Sequence, residues 1–174
     1  ERESTVMAEI FALRADASGA PAWVDDAVPL VSGFELHGYT LVYLVGQGAF
    51  QLGPDEMNAL YAYLQGGGTL VFESCRQKSG AERSAPADDA FFDMLSSFGV
   101  KLDNLPADHL LLTEPNLFTA PPAGFETEGS PLVKLSAGVI FSSYDYGCLW
   151  QGERRGRLAA REEIRAANEW GGNL

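Results

Sequence analysis

In the stretch GGGTLVFESCRQKSG, residues 66–80, a glutamate, a serine, a cysteine and an arginine follow one another where an apolar run stops. A cysteine at such a junction, Cys75, becomes a nucleophile when backbone N–H groups and a cation such as Arg76 stabilise its thiolate. Glu73 opposes that stabilisation if it points to the same side, or assists the thiol as a base. The competing reading of Cys75 is a small apolar residue packed under a loop. Ser74 and Arg76 count as ligand-binding candidates on the same grounds.

The chain has two histidines, and they are its candidate general bases. His109, in LPADHLLL, precedes a short apolar run and either assists Cys75 or bonds locally as a loop anchor. His37 stands before YTLVYLV, at the end of that strand away from the loop that follows it, which argues against catalysis. GQGAFQLG, residues 46–53, has glycines that let backbone N–H groups approach an anion, with Gln47 and Gly48 as candidate contacts. It lacks both the GK[ST] of a phosphate-binding loop and the third glycine of the dinucleotide fingerprint, so turn formation is the competing role and no nucleotide is expected. SSYDYGCLW, residues 142–150, places Asp145 between two tyrosines and near Trp150. Asp145, Tyr146 and Trp150 form a ligand wall, or they pack the end of a sheet with Asp145 capping a turn. Two histidines and two cysteines without ligand spacing give no metal site, and no cofactor is expected.

The elements that must position these residues follow from periodicity. Tyr39–Val45 is apolar on both faces, as in a central parallel strand. Pro54 suits a first helical position, Asp55 and Glu56 favour the positive end of a helix, and Met57, Leu60, Tyr61 and Leu64 form its apolar stripe. Gly66–Gly68 end that helix, and Thr69–Phe72 is the next buried strand. Strand, helix and strand in about 35 residues make a βαβ unit. A polar stretch, RQKSGAERSAPAD, leads to a second helix over 88–98 with Phe91, Met94, Leu95 and Phe98 inward. A short strand is expected over 100–102, irregular chain over the proline-rich residues 113–131, strands over 132–135 and 139–142, and a charged helix over 156–170. Thr5–Arg14 fits a helix or a strand. The alternation predicts an α/β fold, a three-layer α/β/α sandwich with a mainly parallel sheet. In such sheets ligands bind beyond the carboxyl ends of the strands, where 46–53, 73–80 and 143–152 would converge.

At 174 residues, 46% hydrophobic and 11% aromatic, the chain is one folded domain with a real core. A formal net charge of −12 and a pI of about 4.4 make it acidic and repel phosphate backbones, which disfavours nucleic acid and anionic membranes. No run approaches the roughly 18 apolar residues that span a bilayer, so no membrane insertion by this segment is expected. ERESTVM carries no targeting pattern, and Asn173-Leu174 reads as the start of another strand, so the chain is expected to extend beyond one or both ends. Cys75 and Cys148 are expected as free thiols, with one bridge as the alternative.

LVYLVGQGAFQL, the helix after it and YLQGGGTLVFESC together resemble a bacterial family of domains of unknown function (DUF4159). Its members show, in order, a segment matched here by Leu41–Leu52, one matched by Leu60–Cys75, an Asp-His element matched by Asp108–Leu110, and an Asp…Cys-x-Trp element matched by Asp145–Trp150. NEWGGNL, at the end, resembles the start of a further segment of the family. The likeness runs from about residue 39 onward. The family is grouped with class I glutamine amidotransferase-like folds, which implies a flavodoxin-like arrangement. In that superfamily the nucleophilic cysteine sits on a sharp turn after a strand, and Cys75 stands at the matching place. Active members follow that cysteine with x-Gly and carry a late histidine with a glutamate two residues on. Here Arg76-Gln77 follow, and no histidine comes after His109.

The resemblance thus implies an amidotransferase-like domain without a complete Cys-His-Glu triad, binding a small molecule or a protein partner. A cysteine-dependent hydrolase or amidotransferase using Cys75, with Glu73 or His109 assisting, is the alternative. A structural module of a larger membrane-associated assembly is a third. A soluble bacterial domain, cytoplasmic or periplasmic, is expected.

Overall fold

The computed structural model describes residue 25 and residues 28–30, 36–74, 86–126, 130–154 and 157–174. Along the chain these form a 3-10 turn at Leu36–Gly38, β1 (Leu41–Gly46), α1 (Pro54–Gln65), β2 (Thr69–Ser74), α2 (Pro86–Ser97), β3 (Asp103–Asn104) and α3 (Leu110–Thr113). There follow β4 (Val133–Ser136), β5 (Val139–Ser142), α4 (Tyr146–Trp150), β6 (Glu153–Arg154), β7 (Arg157–Leu158) and α5 (Arg161–Gly171). Two compact units divide them. One comprises Pro29–Leu105 and Glu128–Tyr144, the other Glu1–Val28, Pro106–Thr127 and Asp145–Leu174.

The first unit is a mixed α/β structure built on a five-stranded open sheet, order β1-β2-β5-β4-β3. β1 and β2 are parallel from Leu41↔Thr69 to Gly46↔Ser74, and β2 and β5 are parallel from Leu70↔Val139 to Glu73↔Ser142. β4 is antiparallel to β5 and β3 is antiparallel to β4, so β4 alone runs against the other four. The sheet is thus mostly parallel, as the alternation of strands and helices predicts, with one reversed strand. Only Ala137 and Gly138 separate β4 from β5, and a parallel return needs a crossover of a dozen residues or more, so two residues can close only a hairpin.

Gly53 N–H donates to the Glu56 carboxylate at 2.6 Å, which starts α1 where Pro54 has no N–H to satisfy. Its buried side chains are Leu60 and Tyr63, whereas Tyr61, expected inward, is 42% exposed and leans on the Phe98 ring at 5.3 Å. Tyr63 turns inward because its hydroxyl has work at the base of β2. It accepts from Thr69 N–H at 3.0 Å and donates to Thr69 C=O at 3.1 Å. Burial raises its pKa above the ordinary tyrosine value, against the lowering effect of hydrogen bonds with the Thr69 and Val42 backbones.

On one face of the sheet the core is aromatic. Phe72, fully buried, stacks on Phe91 of α2 at 4.1 Å and lies 6.0 Å from both Phe141 of β5 and Phe50 of the loop after β1. Gly46 ends β1 against this ring, since a Cβ there would stand 2.5 Å from Phe72 Cζ and 2.8 Å from Ala87 Cβ. α2 begins two residues earlier than its periodicity predicts, at Pro86, and buries Phe91, Met94 and Leu95 as expected. The strand predicted over 100–102 is instead β3 at Asp103–Asn104. Val100 N–H is taken by Leu95 C=O at the end of α2, so the chain joins the sheet only afterwards.

In the second unit the helix predicted over 156–170 begins at Arg161, where Ala160 N–H donates to the Glu163 carboxylate at 2.7 Å. β6 and β7 pair as a hairpin ahead of it. Gly152, at φ +78°, supplies the left-handed turn between α4 and that hairpin. Trp170 is the centre of this core, with Tyr146 at 5.7 Å and Phe118 edge-on at 5.9 Å. Asn173, expected to open a strand, lies in the turn after α5 and works as a clamp. Its amide donates to Leu111 C=O and Asn116 C=O at 2.9 and 2.8 Å, and its oxygen accepts from Asn116 N–H and the Asn116 amide at 3.1 and 3.0 Å. Described residues between α3 and β4 carry no helix or strand, as the prolines predict.

Among the described residues no helix is long and apolar enough to cross a membrane. The ambiguous Thr5–Arg14 lies outside the described residues, as do Cys75 and most of the polar stretch after it.

Candidate functional site

The carboxyl ends of β1, β2 and β5 coincide. Gly46 pairs with Ser74 and Glu73 with Ser142, so β1, β2 and β5 end at one edge of the sheet. Strand alternation divides that edge between two faces. On one, Tyr43, Glu73 and Ser142 stand side by side on three adjacent strands. The Tyr43 hydroxyl donates to Glu73 Oε2 at 2.8 Å and the Ser142 hydroxyl donates to Glu73 Oε1 at 3.1 Å. Ser142 Oγ also accepts from Tyr144 N–H at 3.2 Å, which ties the departing loop to the cluster. Glu73 and Ser142 are 3% and 4% exposed. A carboxyl group this deep is held in place because each oxygen has a hydroxyl donor.

On the other face, at the same edge, an open cavity of about 590 Å³ lies between the loop after β1 and the two helices. Its lining runs Ala49, Phe50, Gln51 and Leu52, then Met57 of α1, then Pro86, Asp89, Ala90, Asp93, Met94 and Ser97 of α2 or its start. The volume falls within the range of small-molecule sites, as does an apolar wall interrupted by a few polar groups. Ser74, at the tip of β2, is fully buried on this face, and its Oγ has no hydrogen-bond partner among the described residues.

The residues singled out from the sequence are placed as follows. Glu73 and Ser74 occupy the edge, Gln47 is exposed there and Gly48 is half-buried. The cavity takes the next residues of that loop, 49–52, in their place. Cys75 and Arg76 lie outside the described residues. His109, in the second unit, caps α3, with Nδ1 accepting from Leu111 N–H at 3.2 Å, the local anchoring that was one of its two readings. His37 sits at the opposite end of the sheet, its ring so close to Gly66 that a Cβ there would come within 2.7 Å.

Asp145, Tyr146 and Trp150 belong to the second unit and are 1%, 1% and 5% exposed. The Tyr146 hydroxyl donates to Pro122 C=O at 2.6 Å and Trp150 Nε1 donates to Ala167 C=O at 2.9 Å. Asp145 enters α4 in a left-handed conformation, φ 57° and ψ 57°, which short polar side chains tolerate better than most. Cys148 is buried in α4. Among the described residues no group of three or more His, Cys, Asp or Glu could hold a metal ion.

Sequence reasoning missed Tyr43, Ser142, Phe50, Asp89 and Asp93. The first two carried a signal in hindsight, as polar members of two otherwise apolar strands, β1 and β5. Asp89 and Asp93 carried one in their spacing, one helical turn apart.

No curated protein matches the chain. A family model described as a domain of unknown function (DUF4159) matches residues 13–174, which is nearly the whole sequence and includes every element of the sheet. The chain belongs to that family.

Proposed function

We propose that this chain is a glutamine amidotransferase-like domain of flavodoxin-like, three-layer type that lacks a complete triad and binds a small ligand at the carboxyl edge of its sheet. The observation that carries the reading is the cavity bounded by the loop after β1 and by α2, at the edge where open α/β sheets hold their ligands. In the experiment, 3-phenylpropanol is titrated at millimolar concentration into the isotope-labelled 174-residue chain. Saturable amide shifts are expected at Phe50, Met57, Ala90 and Met94. Ala90→Phe, which fills the cavity from α2, is expected to abolish them while the remaining spectrum stays folded. Shifts that never saturate, or that persist in Ala90→Phe, defeat the reading.

A second reading, a hydrolase or transferase using Cys75, is favoured by one observation. Glu73, two positions before Cys75, is a buried carboxyl group already gripped by two hydroxyls at the strand end. Activation of the thiol would show in its alkylation by iodoacetamide. The hydrolase reading predicts a midpoint well below the ordinary thiol value of about 8.5, and a still lower one in Glu73→Gln, where a negative charge beside the thiolate is gone. A midpoint at the ordinary value, equal in the two proteins, leaves the binding domain.

A further inference from the structure

The elements that wall the cavity are one-sided in charge. The loop 47–53, α1 and α2 contain Asp55, Glu56, Asp88, Asp89 and Asp93 and not one lysine, arginine or histidine. Two of these acids, Asp89 and Asp93, line the cavity itself. They stand at i and i+4 of α2, on one face and one turn apart. Like charges in that relation destabilise a helix. The favourable dipole at the start of α2 reaches Asp89 in the first turn but has faded by Asp93. Among the described residues of the walls nothing neutralises the pair, so a cation arriving from outside gains both carboxylates.

The remaining lining is suited to an apolar body. Phe50 stands with Met57 and Met94, beside Leu52, Ala90 and Pro86, with Gln51 and Ser97 as the uncharged polar members among the described residues. An aromatic ring at such a site also attracts a cation through its negative face, and methionine side chains adapt to irregular apolar shapes. The volume, about 590 Å³, lies in the range of small-molecule sites.

We propose that the cavity takes an organic cation, an ammonium or guanidinium group carried on a small apolar body, with the charge at Asp89 and Asp93 and the body against Phe50, Met57 and Met94. This rests on the small-ligand reading above and adds the ligand's charge to it.

Three probes of one shape test it: 3-phenylpropylammonium, 3-phenylpropanol and 3-phenylpropanoate, each titrated into the full chain with Phe50 and Met94 resonances as the readout. The ammonium is expected to bind about tenfold or more tightly than the alcohol, and the carboxylate more weakly than either, from two partly screened ion pairs. Raising the ionic strength should narrow the gap. In Asp89→Asn/Asp93→Asn the ammonium should lose most of its advantage while the alcohol binds as before, which shows that the fold and the cavity are intact. Equal affinity for ammonium and alcohol, or an ammonium preference that survives the double variant, overturns the cation assignment and leaves the small-ligand site standing. Absence of saturable shifts with all three probes overturns both.

Discussion

Truncating Phe72 to alanine is expected to cost about 4 kcal/mol of folding stability. Phe72 is fully buried at the centre of the sheet, in contact with Phe91, Phe141 and Phe50 from three different segments. Phe91 and Phe141 are themselves 6.0 Å apart, so removing the middle ring leaves a void that two other rings would have to close by moving strand β5 or helix α2. Close-packed cores relax only partly, which is why the cavity adds to the lost transfer free energy. Against a typical total of about 5–15 kcal/mol, this leaves a marginal protein. Urea or guanidinium unfolding is the measurement, read as a shift of midpoint at constant slope. Gly46 supplies an internal check. Gly46→Ala alone drives a methyl group into the Phe72 ring and the Ala87 side chain. In the Phe72→Ala background half of that clash is gone, so the two substitutions together should cost less than their sum. Tyr61→Ala, at an exposed position, should change stability by less than about 1 kcal/mol. A Phe72→Ala cost in that same small range would mean that the aromatic cluster does not hold sheet and helix together.

The βαβ unit was legible because each boundary had a local chemical cause. Pro54, the acidic first turn and Gly66–Gly68 bracket α1 within its twelve residues, and the apolar runs on either side are the two parallel strands. What escaped was decided by partners distant in the chain. β2 continues through Glu73 and Ser74, past the apolar run that seemed to end it, because hydroxyls from β1 and β5 receive the polar side chain. Tyr63 replaces Tyr61 in the core because its hydroxyl spans to Thr69. The last helix starts late because Glu163 caps Ala160, a local signal that the charged composition of 156–170 masked.

Much the same division holds for the site. Convergence of loops at one sheet edge follows from parallel pairing, and the structure places the ends of β1, β2 and β5 there. Which residues of a loop turn inward depends on backbone path, so Gln47 and Gly48 were singled out while 49–52 line the cavity. The SSYDYGCLW stretch shows why composition leaves such a question open. Tyr146 and Trp150 have the ring surfaces of a ligand wall, but their polar atoms are engaged by backbone carbonyls at Pro122 and Ala167, contacts that no spacing rule predicts.

Replacing Glu73 by alanine is expected to cost about 3 kcal/mol, nearly as much as the aromatic truncation, for a different reason. The tyrosine and serine hydroxyls that donate to it lie 30 positions before and 69 after it in sequence, so the carboxyl group ties three strands at the very edge where loops depart. Hydrogen bonds to a charged or strongly polar acceptor contribute about 1.5–3 kcal/mol each, but part of that is offset because a buried carboxyl group no longer has to be desolvated. The balance turns on what is left behind. In Glu73→Ala, Ser142 Oγ keeps its bond from Tyr144 N–H yet has lost its acceptor, and Tyr43 has lost the acceptor it had on Glu73. Glu73→Gln keeps one acceptor oxygen and offers an amide that a rotated hydroxyl can accept, so it should recover more than half of the loss. Glu73→Leu combined with Tyr43→Phe and Ser142→Ala removes donors and acceptor together. That triple variant should be more stable than Glu73→Ala by about 1–2 kcal/mol, because orphaned polar groups cost more than absent ones. Denaturant unfolding of the four proteins measures the series. The cluster is structural cement if the order is wild type, Gln, triple variant, Ala. Stability unchanged in Glu73→Ala would instead mean that the three strands need nothing at this edge, and that the carboxyl group is kept there for chemistry on the segment that follows it.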